Sequence, residues 1–501
     1  MRTKSTLKTL IYGLILTSII AILGLIKTKI LLEYLGVEYV GIYQLFYQIY
    51  LYLSIVDGGV GASVSFRLFK PVSENDYDAI NEIMEGSRRY FNKIGIFVIL
   101  LGILISFEIM FFIKETSIDT LYIKICFILY IVSSALSYFT TSHAFLYEAE
   151  QKLYKSSNLN HLLSIFESIS AILIACLGGK LLTILISFVA LSLIKNFILY
   201  YISKKEHKYL KKVKTADNSF KKDANNLIIN KIGTLIIENS NLIFISKFLG
   251  LTYVTIFSAY NQITTMIKQM IQRLNSALFP SIGNLLVSAK DKAKNVFYEL
   301  NSLLFFIGNI LFVSLYFMLT PFITLWYGKS YSAGNVVCLL FVMILYFQII
   351  KIPLESFAKA SGSFRSIKNS SMFQAVLSII LSLILIKKYH IAGVLFSTFI
   401  SMFIGVIFVY PKIVYKDIIE DKISKYFIKM FKYIVGLMIS FVIIYYPGNL
   451  ISVNSLMTWF IKCVIILMLC LIINFIYFYI MKELLFIDRI KFFINKRKRK
   501  L

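Results

Sequence analysis

The chain has 501 residues, 58% of them hydrophobic, with a mean hydropathy of +0.76 and a formal net charge of +27. Roughly half apolar is already usual for a water-soluble domain, so the composition excludes one. Apolar runs of about 20 residues recur from end to end, long enough to cross a bilayer, which predicts an all-α integral membrane protein.

Read as helices, these runs span about 9–32, 37–65, 92–113, 119–147, 158–178, 181–202, 225–248, 252–280, 297–320, 333–359, 371–387, 391–411, 428–446 and 456–480, about 14 transmembrane helices. The first run is too long for a signal h-region and lacks a small-x-small cleavage site, so it is expected to be retained. Lys27 and Lys29 lie in its outer third. The segment that follows, LGVEYVGIYQLFYQI from Leu35 to Ile49, returns as LGLTYVTIFSAYNQI from Leu249 to Ile263, identical at seven of fifteen positions after a step of 214 residues. Both copies join one long apolar run to the next, and Gly36 and Gly250 are expected to make the turns. A repeat of that period predicts two related halves.

The second run carries Tyr43, Tyr47, Tyr50, Ser54, Asp57 and Gly61 at three-to-four spacing, which form one polar-aromatic stripe along its helix. His143 and His161 are lone histidines on apolar helices, and packing or hydrogen bonding is the expected role of each. The longest polar connection, Lys204 to Asp223, divides the chain almost centrally. Six helices precede it, so the seventh starts on the same side as the first and the repeat is parallel, not inverted. The expected divisions are an N-terminal six-helix lobe at 1–203, a basic linker at 204–223, a second six-helix lobe at 224–412, and two further helices with a basic tail at 413–501.

In the second half Lys231 and Glu238 lie two turns apart on one side of the seventh helix, with Asn239 and Asn241 nearby. The eighth carries Gln262, Thr265, Lys268, Gln269, Gln272, Arg273 and Ser276, and the tenth Lys351, Glu355 and Lys359 at i, i+4, i+8. Ionisable groups in hydrocarbon cost ~2.5–3.5 kcal/mol each, so they face a cavity or a partner. Together the stripes imply a wet, cationic cavity. Bland readings stand beside these: Lys359 at the inner interface, Lys351–Glu355 as an intrahelical ion pair, and Asp57 bonded to a neighbouring helix.

Assigning alternate loops to opposite sides puts roughly 37 Lys and Arg on one side and roughly five on the other, a strong positive-inside bias. Both termini are therefore expected to be cytoplasmic, and the basic charge to reflect topology and attraction to anionic membrane lipids, not nucleic acid. The tail, LLFIDRIKFFINKRKRK, is expected to lie along the inner membrane surface. The cysteines Cys126, Cys176, Cys338, Cys463 and Cys470 all fall in apolar runs without metal-ligand spacing. No phosphate-binding loop, zinc spacing or nucleophile elbow occurs, so neither an enzyme nor a cofactor or metal site is expected.

The segments LLEYLGVEYVGIYQLF, LSIVDGGVGASVSFRLFKPVSENDYDAINEIM and SRRYFNKIG resemble the amino-terminal region of bacterial polysaccharide flippases. These are the Wzx-type oligosaccharide transporters of the multidrug/oligosaccharidyl-lipid/polysaccharide exporter superfamily. The resemblance is densest over 20–95. It implies two six-helix lobes forming a V around a central cavity, plus two C-terminal helices, in the bacterial cytoplasmic membrane. It also implies the substrate: an undecaprenyl-diphosphate-linked oligosaccharide repeat unit moved to the outer leaflet for O-antigen, capsule or exopolysaccharide synthesis, beside a polysaccharide polymerase and glycosyltransferases. The family's acidic position in the second helix matches Asp57, and the basic residue ending the first falls near Lys27, here lysine where arginine is common.

Physical chemistry agrees with that class. Lys27, Lys29, Lys231, Lys268 and Arg273 would attract a diphosphate in a low-dielectric cavity, and Gln48, Gln262 and Gln269 would exchange hydrogen bonds with sugar hydroxyls. Asp57, Glu238 and Glu355 are the candidates for proton or sodium coupling or gating. Among alternatives, a drug or cation exporter of the same superfamily would need an acidic lining, whereas this inventory is basic. A peptidoglycan-precursor flippase also binds a diphosphate. A membrane polysaccharide polymerase is expected to carry a large external loop with catalytic arginines, and the outer loops here are about ten residues at most.

Overall fold

The computed structural model describes residues 2–58, 60–217, 235–236, 239–288 and 290–487, with side chains except at 2–14, 62, 274–281, 284, 287–288, 290–291 and 364–365. Among the described residues the regular structure is helical. In chain order it comprises α1 (Arg2–Tyr34), α2 (Val37–Leu53), α3 (Val60–Glu74), α4 (Tyr77–Phe107), α5 (Thr120–Ala135), α6 (Thr141–Ala149), α7 (Tyr154–Cys176) and α8 (Leu181–Glu206). A helical stretch at 239–248 precedes α9 (Leu251–Ser288), α10 (Lys290–Trp326), α11 (Gly334–Ala360), α12 (Phe364–Ile404), α13 (Ile423–Leu450) and α14 (Leu456–Ile480). Side-chain caps fix several starts: Asp76 accepts from Ala79 N at 3.0 Å, Asp119 from Tyr122 N at 2.9 Å, and Ser455 forms a reciprocal capping box with Thr458.

Among the described residues, ten helical spans are long and apolar enough to cross a membrane. The fourteen apolar runs meet this count once four local features are read. The second run is not one helix: a 3-10 turn at Ser54–Asp57 and Gly58 at φ 59° separate α2 from α3. Gly58 supplies the freedom for that break, so Asp57 sits in the break and the expected stripe bends there. The seventh run is described only in part. The eighth, α9, carries too many amide and charged side chains to qualify. The eleventh and twelfth runs fuse in α12, which turns at His390 (φ 50°, ψ −132°) and continues through π-helical turns at Gly405–Val409 and Ile413–Ile418. The fourth run is also interrupted, by a 3-10 turn at Leu136–Thr140. There Asn196 of α8 donates to Leu136 O at 2.8 Å and accepts from Thr140 Oγ1 at 2.7 Å, satisfying polar groups where the helix breaks.

The chain divides into two compact units, 1–255 and 256–501. The repeated segment has the same backbone in both copies. Gly36 has φ 93° and Gly250 φ 102°, a conformation open to glycine and strained for any L side chain. Leu35 N and Gly36 N both donate to Leu31 O, at 2.9 and 3.3 Å; Leu249 N and Gly250 N both donate to Ile245 O, at 2.8 and 3.0 Å. Every atom pair is displaced by the same 214 residues. Side chains follow: Phe46 packs on Phe127 of α5 with ring centroids 5.2 Å apart, and Tyr260 packs on Phe341 of α11 at 5.5 Å.

Within the first unit the two copies also touch each other. Thr255 Oγ1 donates to Val37 O at 3.0 Å, and a Cβ added at Gly41 would lie 2.6 Å from Leu251 O. Gly41 and Thr255 are equivalent positions, as are Leu251 and Val37. The contact is therefore a local two-fold, with glycine on one side allowing the backbone approach.

In the second unit a buried core joins α10, α11 and the end of α12 around Phe297, Leu354, Phe357, Val414 and Tyr415. The last two helices are tied into it by polar side chains. Asn309 of α10 donates to Tyr433 O at 3.0 Å and to Asn474 Oδ1 at 3.3 Å, Tyr346 donates to Asn309 Oδ1 at 3.1 Å, and Asn474 donates to Ser440 Oγ at 3.0 Å. Glu483, after α14, accepts from Lys429 and Tyr433 of α13, each at 2.8 Å. Without these bonds the amides would be buried unpaired at ~1–3 kcal/mol each.

Candidate functional site

In the first unit Lys27 of α1 lies half-buried, its Nζ 3.2 Å from Tyr43 Oη and 4.9 Å from that ring's centroid. The geometry combines a hydrogen bond with a cation–π contact, both strengthened where water is scarce. Tyr43 packs edge-on against Tyr130 of α5 at 5.7 Å and against Phe188 of α8 at 6.3 Å, and Tyr50 packs on Tyr130 at 6.4 Å. Three or four residues separate Tyr43, Tyr47 and Tyr50, so the turn of α2 brings them to one side, as its spacing predicted. Asp57, at the helix break, interacts electrostatically with Tyr50, Tyr90 and Tyr138.

Two ionisable residues that spacing did not single out join this group. Glu167 of α7 interacts with Lys27 of α1 and Lys195 of α8, and Lys195 is only 8% exposed. α7 packs against both α1 and α8, the helices that carry those two lysines. Each stands nearly alone in an apolar run, so neither belongs to a stripe. The usable signal was their cost: a lone charge in the middle of a span requires a partner.

The remaining sequence candidates are placed as follows. Gln48 is buried; Lys29, Gln262, Lys268 and Arg273 are half-buried; Gln269 is exposed. Gln262 accepts from Tyr327 Oη at 3.5 Å. Lys231 and Glu238 lie outside the described residues. Glu355 is gripped on its own helix by Lys351 at 3.2 Å and Lys359 at 2.7 Å, and Lys351 also lies 4.9 Å from the Tyr410 ring. His143 bonds Ser203 Oγ at 2.8 Å.

Two loops rich in basic residues are held by ion pairs and amides. In the first unit the start of the basic connection lies along α4: Asn81 donates to Tyr209 O at 3.0 Å and accepts from Lys211 N at 2.8 Å, while Thr215 donates to Glu82 at 2.7 Å. In the second, Asp421 meets Lys294 at 2.9 Å, Lys425 at 2.8 Å and Tyr298 at 2.9 Å. The bonds from Lys425 and Lys294 hold its carboxyl well below the usual carboxylate range.

A family model described as "Polysaccharide biosynthesis protein" matches residues 6–286. No curated protein matches the chain. Among solved structures, "Lipid II flippase MurJ, inward closed conformation" is similar over 93% of this chain and 98% of its own, at TM-score 0.70 and 17% identity. An inward-facing multidrug resistance MATE family transporter of the MOP superfamily is similar over 78% of this chain and 96% of its own, at TM-score 0.64 and 12% identity. A MOP superfamily transporter from Pyrococcus furiosus, whose title notes a reversed polarity of its binding pocket, covers 79% of this chain and 93% of its own at TM-score 0.57 and 12% identity. The fold is that of these transporters, and with ten apolar membrane-length spans the chain is a multi-pass membrane protein.

Proposed function

The chain belongs to the polysaccharide biosynthesis protein family, and from that premise we propose that it flips an undecaprenyl-diphosphate-linked oligosaccharide repeat unit across the cytoplasmic membrane. The observation that carries this reading is the lysine–tyrosine group inside the first unit: Lys27 against Tyr43, whose ring also packs on Phe188 of α8, the helix that carries the buried Lys195. A lysine is a point charge suited to a phosphate. A cluster of hydroxyl and amide side chains suits a glycan that hydrocarbon rejects. The prenyl chain stays in lipid throughout. Lys27, Lys29, Lys231, Lys268 and Arg273 would meet the diphosphate, and Gln48, Gln262 and Gln269 the sugars.

The basic loops place both termini in the cytoplasm under this reading. Such a protein is a transporter and not an enzyme; it would act beside the glycosyltransferases and the polymerase that make and use its substrate. For ion coupling Asp57 is favoured over Glu355, because Glu355 would have to break two ion pairs before it could take up a proton or sodium. Glu238 remains a candidate by sequence alone.

Depleting the protein tests the function. Lipid-linked repeat units should accumulate in the inner leaflet while surface polymer falls. Normal surface polymer in a strain with no redundant transporter contradicts it, and accumulation of peptidoglycan precursor instead would assign the substrate to the cell wall.

A further inference from the structure

We propose that Gln44 and Tyr47 of α2 form a sugar-binding platform, contacting the glycan while Lys27 beside them holds the diphosphate. The proposal rests on the lipid-diphosphate reading above and adds to it the side chains of α2 that meet the sugars. From Val40 to Leu53 the residues that are not buried are Tyr43, Gln44, Tyr47, Tyr50, Leu51 and Tyr52. At about 3.6 residues per turn, all of them but Tyr52 fall within an arc of about 120°. The rest of the helix is packed, so α2 presents one open stripe along its length. Gln48 is 5% exposed, so the amide of α2 that reaches this stripe is Gln44.

The composition of the stripe separates water from lipid. Exposed side chains in the apolar part of α4 include Ile96, Leu100 and Leu104, and those of α8 include Leu193, Ile194 and Phe197. Such faces suit hydrocarbon. On α2 the open positions carry an amide and phenols instead, and Ser54 and Asp57 continue the line into the helix break. Polar groups within a membrane span face water, a ligand or a polar partner.

The three tyrosines of the stripe are not equivalent. Tyr43 is engaged by Lys27, Tyr130 and Phe188. Tyr50 packs on Tyr130, and its hydroxyl donates to Ser134 O at 3.4 Å. Tyr47 lies between them and is 45% exposed. Among the described residues neither Tyr47 nor Gln44 makes a hydrogen bond or a ring contact. A pyranose presents C–H groups on its faces and hydroxyls around its rim. An open phenol ring takes the face, and an amide one turn away exchanges hydrogen bonds with the rim. Four residues separate Tyr43 from Tyr47, about 6 Å along the helix axis, so the platform is continuous with the lysine. Phe46 on Phe127 at 5.2 Å fixes the rotation of α2, and the ring is in place before a ligand arrives.

The test uses the full-length protein in nanodiscs with two probes: undecaprenyl diphosphate alone, and the same lipid carrying one N-acetylglucosamine. Wild type should bind the sugar-bearing probe more tightly. Tyr47→Leu and Gln44→Leu should each weaken that probe by about fivefold, the scale of one ring or hydrogen-bond contact, and leave the bare lipid within about twofold. Tyr47→Phe keeps the ring face and should stay within about twofold for both probes. Lys27→Met should weaken both alike. Equal binding of the two probes by wild type overturns the platform, and so does unchanged binding of the sugar-bearing probe in both Leu variants. Loss of both probes by one factor in the Leu variants also overturns it, since that marks a structural role. If wild type binds neither probe, the lipid-diphosphate reading fails and the platform with it; if it binds the bare lipid, that reading stands even where the platform fails.

Discussion

Lys27 and Tyr43 in the first unit hold the positions that Asn241 and Phe257 hold 214 residues later. Around them the scaffold is duplicated closely: the glycine turns have φ 93° and 102°, the double donation to one carbonyl recurs at Leu31 and Ile245, and the ring pairs Phe46–Phe127 and Tyr260–Phe341 agree within a few tenths of an ångström. The chemistry at the site is not duplicated. One copy presents a cation held on a phenol; at the matching positions the other has a buried asparagine and a buried phenylalanine. Shared backbone with unshared charge separates what the repeat builds from what it does.

The largest effect should therefore come from the charged copy. Lys27→Met is expected to slow translocation by about 10- to 100-fold, the worth of one charge-assisted contact. Asn241→Leu should stay within about twofold of wild type, both measured by accumulation of lipid-linked repeat units. Equal defects would break the comparison.

At the contact between copies the asymmetry is steric. Gly41→Val should destabilise by ~1–3 kcal/mol, because its Cβ meets the Leu251 carbonyl. Thr255→Ala should cost only ~0.5–1.5 kcal/mol, for one hydrogen bond. Urea or thermal unfolding in detergent reads both.

Where the copies match, substitutions should match. Gly36→Ala and Gly250→Ala should each cost ~1–2 kcal/mol, since both demand positive φ and neither position has a neighbour within 4 Å. A difference between them beyond ~0.5 kcal/mol, the usual limit of additivity, would mean that the turns are not equivalent.

The smallest effect concerns the ion pairs of the second unit, which are read as structural. Asp421 has its carboxyl held below the ordinary value of 3.8. Its stabilising contribution is then complete above that value and is lost as pH falls toward the lower, folded value. Asp421→Asn should lower the melting temperature at pH 7, and the gap to wild type should narrow below about pH 4. Transport at neutral pH should be nearly unchanged in that variant.

Much of the architecture was legible from apolar run length and from one repeated segment. The repeat located both glycine turns, and the period of 214 carried through to contacts between helices that sequence alone does not pair. The breaks were less legible. Asp57 was placed on a continuous helix because Tyr43, Tyr47, Tyr50 and Ser54 keep helical spacing, yet Gly58 ends that periodicity in a single residue. Glu167 and Lys195 were missed for a related reason: periodic patterns reveal faces, and each of these residues stands nearly alone in its own apolar run. Asn309 and Asn474 look like isolated polar residues in sequence and prove to join α13 and α14 to the second unit.

The most direct test of the central claim is leaflet-resolved translocation of an undecaprenyl-diphosphate-linked oligosaccharide in liposomes containing the purified protein, read by enzymatic access to the glycan from outside. The account predicts movement with wild type and with Asn241→Leu, and little with Lys27→Met. Movement at the wild-type rate with Lys27→Met, or none with wild type, would contradict it.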